Sequence, residues 1–166
     1  MTMSVKVLPR PADIDVPSPE KAASVTGALN LVLVDSFSLY LKTRKYGSLL
    51  STPGLRGYYL LLEEQAKQIL ETTDAVVERI CMIDPHALGS MGDFVRYRRP
   101  SDRQPRGPLH ALLMTLRDDN LALAETYRCV SATVSAADDL ISASLIDLWT
   151  EESERRARFL FETSRL

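Results

Sequence analysis

The most restrictive feature of the sequence is the spacing of mainly apolar residues between positions 62 and 80. They recur at alternating intervals of four and three residues, without an intervening glycine or proline: Leu62, Ala66, Ile69, Thr73, Val76 and Ile80. This spacing places every member on one face of an α-helix. It predicts a long amphipathic helix over residues 55–82, whose apolar face must be buried against another element.

Three more segments show helical spacing. The first covers residues 22–46, where Leu31 and Leu41 widen the apolar stripe and predict burial on more than one side. The others cover residues 109–132 and 142–163. No segment alternates with a period of two for long enough to predict a strand, so the predicted class is all-α with four long helices.

The connection between the second and third helices is long. Asp84, Pro85 and Gly89 mark a loop, and a serine followed three residues later by an aspartate, Ser90 and Asp93, predicts a short capped helix inside it. Two helical hairpins joined by such a crossover are typical of a ferritin-like four-helix bundle rather than an up-and-down bundle.

The size of the chain, 166 residues with 45% apolar residues, predicts one globular domain. Four prolines and little periodicity near the start predict an extended N-terminal arm over residues 1–21, followed by the domain over residues 22–166. The formal net charge of -2 gives no overall attraction to nucleic acid or anionic lipid.

The two cysteines, Cys81 and Cys129, show no metal-binding spacing and are interpreted as core thiols in a reducing compartment. No continuous apolar run approaches the roughly 18 residues that span a bilayer, and the start of the chain lacks the apolar core of a signal peptide. We therefore expect a cytoplasmic protein without a membrane partner.

Acidic residues on the second predicted helix could carry chemistry. Asp74 and Glu78 are four residues apart, as are Tyr59 and Glu63, and all four lie on one stripe of the helix. Stacked oxygen donors of this kind can hold iron or manganese inside a helical bundle. A solvated acidic face with surface ion pairs is the simpler interpretation of the same spacing.

Four segments, in order and spacing, resemble the Dps family of miniferritins, the DNA-binding proteins of starved cells. They are "LNLVLVDSFSLYLKTRKYG", "LLLEEQAKQILETTDAVVERI", "HALGSMGDF" and "ASLIDLWTEESERRARFLFE", and the resemblance covers about residues 25–163. It implies a four-helix subunit and a hollow shell of twelve copies built from dimers. It also implies iron oxidation and storage, at sites shared between two subunits, and protection of DNA under stress.

The resemblance implies specific site residues. One subunit supplies an aspartate and a glutamate, which correspond to Asp74 and Glu78. The partner supplies two histidines, but the corresponding positions here are Gly47 and Tyr59, and Glu63 matches a residue that helps to hold a second iron in some members. Glycine offers no side-chain ligand, and a phenol with a pKa of about 10 is a poor one unless the metal deprotonates it.

We therefore expect iron oxidation to be slow, relocated or absent. His86 and His110 are interpreted as exposed or capping histidines rather than replacement ligands. Two roles remain open for Asp74: it could bind a divalent cation weakly together with Glu78, or it could form a purely structural ion pair.

In the family, acids line a threefold pore that draws iron into the shell. Asp139 fits the expected aspartate and Asp138 adds a neighbour. Asp139 could equally cap the start of the fourth helix.

The densest basic cluster lies in the long connection and consists of five arginines: Arg96, Arg98, Arg99, Arg103 and Arg106. Repeated by shell symmetry, they could bind DNA phosphates; alternatively they keep a loop soluble and pair with acids of neighbouring subunits. The sequence thus leaves three functions: an iron-storing shell with an incomplete oxidation site, a structural or DNA-binding cage, and a subunit that assembles with an active homologue.

Overall fold

The computed structural model describes residues 18–89 and 108–165. These ranges contain four long α-helices and a short 3₁₀ turn at Pro53–Leu55: α1 (Pro19–Leu49), α2 (Arg56–Ile83), α3 (Leu109–Ala136) and α4 (Leu140–Thr163). No strand occurs within them, so the predicted all-α class with four long helices is confirmed. The predicted short helix at residues 90–93 and most of the predicted arm lie outside the described residues.

The helix boundaries differ from the predicted ones for local reasons. α1 starts at Pro19, inside the predicted arm, because the Ser18 side chain accepts a hydrogen bond from the Lys21 amide and proline is favourable in a first turn. α3 continues one turn beyond the predicted end, and α4 starts two residues early, directly after its cap Asp139.

Side-chain contacts establish the topology. Thr126 of α3 donates to Asp35 of α1 at 2.7 Å, and Lys42 of α1 lies 2.6 Å from Asp119 of α3. Because the later residue on α1 meets the earlier residue on α3, these helices are antiparallel. α1 and α2 are also antiparallel, as a hairpin, so α2 and α3 run parallel. This is the predicted ferritin-like crossover.

The core lies on the inner faces of all four helices. Its largest fully buried side chain is Tyr127, which packs beside Trp149 with ring centroids 6.2 Å apart and shares a hydrogen bond of 3.3 Å with the Ser36 hydroxyl. The predicted stripe of α2 faces this core, and Leu62, Ile69 and other members are completely buried.

Three expectations about burial were wrong. Leu31 and Leu41 are 40% and 51% exposed, because the single subunit covers only one face of α1. Cys129 is exposed and Cys81 is only partly buried, so neither is a fully buried core thiol. An apolar residue in a helical sequence does not reveal by itself which face the neighbouring helices cover.

The expectation about membrane-length segments also needs correction. α1 contains an 18-residue window with mean hydropathy 1.4, long and apolar enough to cross a bilayer by length and composition. Half of that window is buried inside the bundle, where it contacts α2 and α3. A core helix of a soluble bundle meets the same criterion, so this is weak support for a membrane span.

Candidate metal-binding residues

Asp74 and Glu78 lie one turn apart on the exposed face of α2. In the described ranges neither carboxylate forms an ion pair or a side-chain hydrogen bond, although Lys67 and Glu71 on the same helix pair at 3.9 Å. The structural ion pair considered for Asp74 is therefore not formed within the single described subunit. Both carboxylates remain available to a cation or to another chain.

Gly47 lies in the last turn of α1 and is buried against α2. A Cβ atom added there would lie 3.6 Å from the Cβ of Leu62 and 3.7 Å from Oε1 of Glu63, which are ordinary van der Waals distances. The backbone is helical, so a larger side chain could start at this position without strain. The native glycine nevertheless contributes no ligand.

Glu63 points toward the same place but is engaged by a cation. Its Oε1 forms an ion pair with the Arg44 guanidinium, one turn before Gly47 on α1. The hydrogen bond to Glu63, and then its negative charge, raise the pKa of Arg44. Tyr59 is partly buried and packs against the hydrophobic core. A guanidinium thus lies where the resemblance places ligands for a metal cation, and it repels such a cation.

The donor set fits iron only in part. Asp74 and Glu78 supply the hard oxygen ligands that ferrous iron accepts, but Gly47, Tyr59 and the Arg44-bound Glu63 do not complete a coordination shell. Within residues 18–89 and 108–165 no three His, Cys, Asp or Glu side chains come together as a metal-binding group. A complete site would therefore need donors beyond these described side chains.

Asp139, the predicted pore acid, forms the N-cap of α4. It accepts hydrogen bonds from the Ser142 amide at 3.0 Å and hydroxyl at 2.6 Å, and it pairs with Arg79 of α2 at 2.8 Å. Burial acts to raise the pKa of Asp139, but the Ser142 and Arg79 interactions together outweigh it and lower the pKa. Of the two predicted roles, the structure directly shows the cap; the pore role stays a prediction.

Asp138 has a positive φ of 61° in the turn between α3 and α4. Its exposed carboxylate pairs with Lys21 at 2.7 Å, and this hydrogen bond lowers the pKa of Asp138. The acid thus ties the start of α1 to that turn.

The other candidate residues are two histidines and the cluster of five arginines. His86 and His110 are both exposed, as expected. The cluster of five arginines lies outside the described residues. Sequence reasoning missed the Arg44–Glu63 pair, for which no local signal exists, because the two residues belong to different helices.

Comparison with known protein families identifies the structural class of this protein. The ferritin-like domain family matches residues 26–163. Since the match spans most of the chain, the chain belongs to the ferritin-like family.

Within that family, the subunit has the fold of the Dps proteins. A Dps1 variant of Mycobacterium smegmatis superposes with a TM-score of 0.81 at 22% identity, covering 89% of this chain and 99% of that one. Dps from Thermosynechococcus elongatus gives a TM-score of 0.78 at 19% identity, covering 87% and 92%. Dps from Vibrio cholerae, described as a member of the ferritin-like diiron-carboxylate superfamily, gives 0.76 at 17% identity, covering 85% and 89%.

A curated relative is similar over a shorter region. An uncharacterised low temperature-induced protein of Nostoc is 34% identical over 77 residues, which are 46% of this chain and 43% of that protein. A homologue in Anabaena variabilis matches to the same extent. The match thus spans less than half the length of these relatives.

Proposed function

We propose that the protein is a miniferritin subunit that assembles with copies of itself into a Dps-type shell, sequesters iron in the cytoplasm and oxidises it poorly. The observation that supports this most is the contrast along α2 within a ferritin-like fold. Asp74 and Glu78 are exposed and form no ion pair with any described residue, whereas Glu63 is bound to Arg44. Iron is here the substrate and cargo of the shell.

Poor oxidation follows from the missing ligands. In a site shared by two subunits, Asp74 and Glu78 of one copy would face Gly47 and Tyr59 of the other. Two carboxylates alone bind ferrous iron weakly, because neutral nitrogen donors no longer complete the coordination shell. The positive charge of Arg44 further lowers the affinity of that half-site for a cation.

The decisive experiment rebuilds the missing half-site with Gly47→His and Tyr59→His. We expect the native protein to oxidise ferrous iron in air little faster than buffer, and the double variant to do so at least about tenfold faster. A Cβ atom at Gly47 would meet its neighbours at ordinary van der Waals distances, which supports the choice of this substitution. Oxidation is followed by the absorbance of the ferric product.

A matched control is Gly27→His with Tyr59→His, because Gly27 is an exposed glycine of α1 with nothing within 4 Å of an added Cβ. It should oxidise iron no faster than the native protein. A fast, saturable rate in the native protein would overturn the impaired-site proposal.

The unengaged acids also favour a second function, a subunit that assembles with a histidine-bearing Dps homologue. In such a hybrid, Asp74 and Glu78 of this chain would complete sites whose histidines belong to the other chain. Co-expression of the two, with a tag on one and native mass spectrometry of the purified shells, tests this. Shells that contain only one kind of chain at every mixing ratio would exclude it.

We also propose that the shell binds DNA, and the sequence supports this proposal. Five arginines within residues 96–106 would supply phosphate contacts, repeated on each subunit of a shell. Retention of DNA in a gel shift should weaken as salt rises and should be lost when all five are changed to glutamine. Unchanged retention in that variant would locate DNA binding elsewhere.

A further inference from the structure

Among the described residues, Arg156 on α4 is a buried cation without an ionic partner. Only 3% of the residue is exposed. Its Nε donates to Oδ1 of Asn120 at 3.0 Å, but Nη1 is buried and has no hydrogen-bond partner. No carboxylate in the described ranges lies within ion-pair distance of it. Among the described residues, this guanidinium thus donates one hydrogen bond to a neutral amide, and its buried Nη1 is unsatisfied.

The groups that surround Arg156 on α3 and α4 are already engaged. Asn120, which is 1% exposed, donates from Nδ2 to the Leu116 carbonyl at 2.8 Å and accepts from Arg156. Ser153, completely buried, donates to the Asn120 carbonyl at 2.8 Å. This side of the bundle supplies hydrogen bonds but no negative charge.

Gln65 on α2 is a second buried polar residue with an unused hydrogen-bonding atom. It is 4% exposed, and its Oε1 is also buried without a hydrogen-bond partner. The contact of Arg79 with Ser142, at 2.8 Å, sets the register between antiparallel α2 and α4. Gln65 precedes Arg79 by as many residues as Arg156 follows Ser142, about four helical turns, so the helical register puts the two residues at about the same level of the bundle. We call Gln65, Asn120, Ser153 and Arg156 the Arg156 layer.

No group described in this layer neutralises the positive charge of Arg156. Burial lowers the pKa of Arg156, yet an arginine side chain remains protonated inside proteins. Glu152, one turn earlier, attracts it, but that carboxylate approaches Arg155 at 4.0 Å and forms no ion pair with Arg156. Burial raises the pKa of nearby Tyr127 to about 12, so this phenol is neutral and supplies no counter-charge.

Water and an anion would satisfy the layer differently. A water molecule could accept from Nη1 and donate to Oε1 of Gln65, but it would leave the charge uncompensated, and an unpaired buried charge is strongly unfavourable. An anion supplies both an acceptor and the missing charge. The two ends of the Gln65 amide are interchangeable by a flip, which turns its Nε2 donors toward the same point.

We propose that the Arg156 layer is an internal binding site for a small monovalent anion of chloride size, held between Arg156 and Gln65. The site lies inside a single subunit, on the opposite side of α2 from Asp74 and Glu78. It therefore does not depend on the proposed iron chemistry.

The first experiment measures thermal unfolding of the full chain in sodium chloride, sodium bromide and sodium gluconate at matched ionic strength. Gluconate is too large to enter the bundle. We expect Tm to rise by a few degrees, saturably, with chloride or bromide but not with gluconate, because a ligand that binds the folded state stabilises it by mass action. Crystals grown in bromide should show anomalous density between Arg156 and Gln65.

Variants separate the anion from general salt effects. Gln65→Glu places a permanent negative charge opposite Arg156 and should remove the halide dependence while keeping the protein stable in gluconate. Arg156→Met should also remove it, and Arg155→Met, at an exposed neighbouring arginine, should retain it. If Arg156→Met does not fold, the Gln65→Glu variant and the bromide crystals still test whether an anion binds in the Arg156 layer. Equal Tm in all three salts, or a layer that contains only water in bromide crystals, would overturn the proposal.

Discussion

Four carboxylates of this subunit fall into two groups of two with opposite surroundings. Glu63 and Asp139 are each held by an arginine of another helix, whereas Asp74 and Glu78 are exposed on α2 with no ion pair in the described ranges. Three of these four acids belong to the same helix. The difference shows that the helix carrying an acid does not decide its role; the cation that reaches it from a neighbouring helix does.

The largest expected effect tests whether the unengaged pair can bind iron. In the variant with Gly47→His and Tyr59→His, adding Asp74→Asn and Glu78→Gln should lower the iron oxidation rate by up to about 100-fold, because neutral amides replace the two charged carboxylate ligands. Glu71→Gln is the matched control, an exposed acid of α2 paired only with Lys67. If the quadruple variant oxidised iron as fast as the double histidine variant, Asp74 and Glu78 would have no part in the site.

The next effect concerns stability. Asp139→Ala should lower the free energy of unfolding by about 2 kcal/mol, because it removes a helix cap and leaves the partly buried Arg79 without its ion pair. Asp74→Ala should change it by less than about 0.5 kcal/mol within a subunit. Urea unfolding of both variants measures the difference. Equal losses of unfolding free energy in the two variants would mean that Asp74 is a structural residue like Asp139.

A smaller effect is expected at Arg44. Arg44→Gln should release Glu63 and tighten the binding of a divalent cation such as cobalt about tenfold, since a repelling charge is removed and a carboxylate is freed. Stability should change little because the pair is partly exposed to solvent. Isothermal calorimetry gives the affinity. Arg128→Gln, which breaks a surface ion-pair cluster far from α2, controls for net charge and should not tighten binding.

The last prediction is the pH dependence of the engaged acid. The pKa of Asp139 is lowered in the folded state from its ordinary value of 3.8, so its stabilising effect is complete above that pH. The effect is lost as the pH falls from there through the lower folded pKa. The stability difference between the native protein and Asp139→Asn should therefore narrow in acid, in unfolding curves measured over this range. A constant difference would assign the effect to packing alone.

Much of the fold was predictable because helical spacing is local information. The stripe of α2 from Leu62 to Ile80 gave the correct helix and the correct buried face. The exposed state of His86 and His110 was also anticipated. The errors at Leu31, Leu41 and Cys129 share one cause: a helical pattern reports that a residue is apolar, not whether another element covers it.

The candidate site was predictable only in part. The spacing of Asp74 and Glu78 placed them together on one helix face, and the structure confirms that placement. The engagement of Glu63 by Arg44 could not be read from spacing, because it depends on the register between α1 and α2. The isolated charge of Arg156 is a similar case, since an arginine in the sequence segment "ERRARF" gives no sign of being buried.

The sequence by itself determined the helices, the crossover topology, and the absence of imidazole at positions 47 and 59. These follow from residue type and from spacing along one chain. Only the tertiary structure decided which carboxylates are neutralised, which arginine is buried without a counter-charge, and that Asp139 is held by Arg79. Each of these depends on the distance between charges on different helices, and that distance is fixed only when the bundle packs.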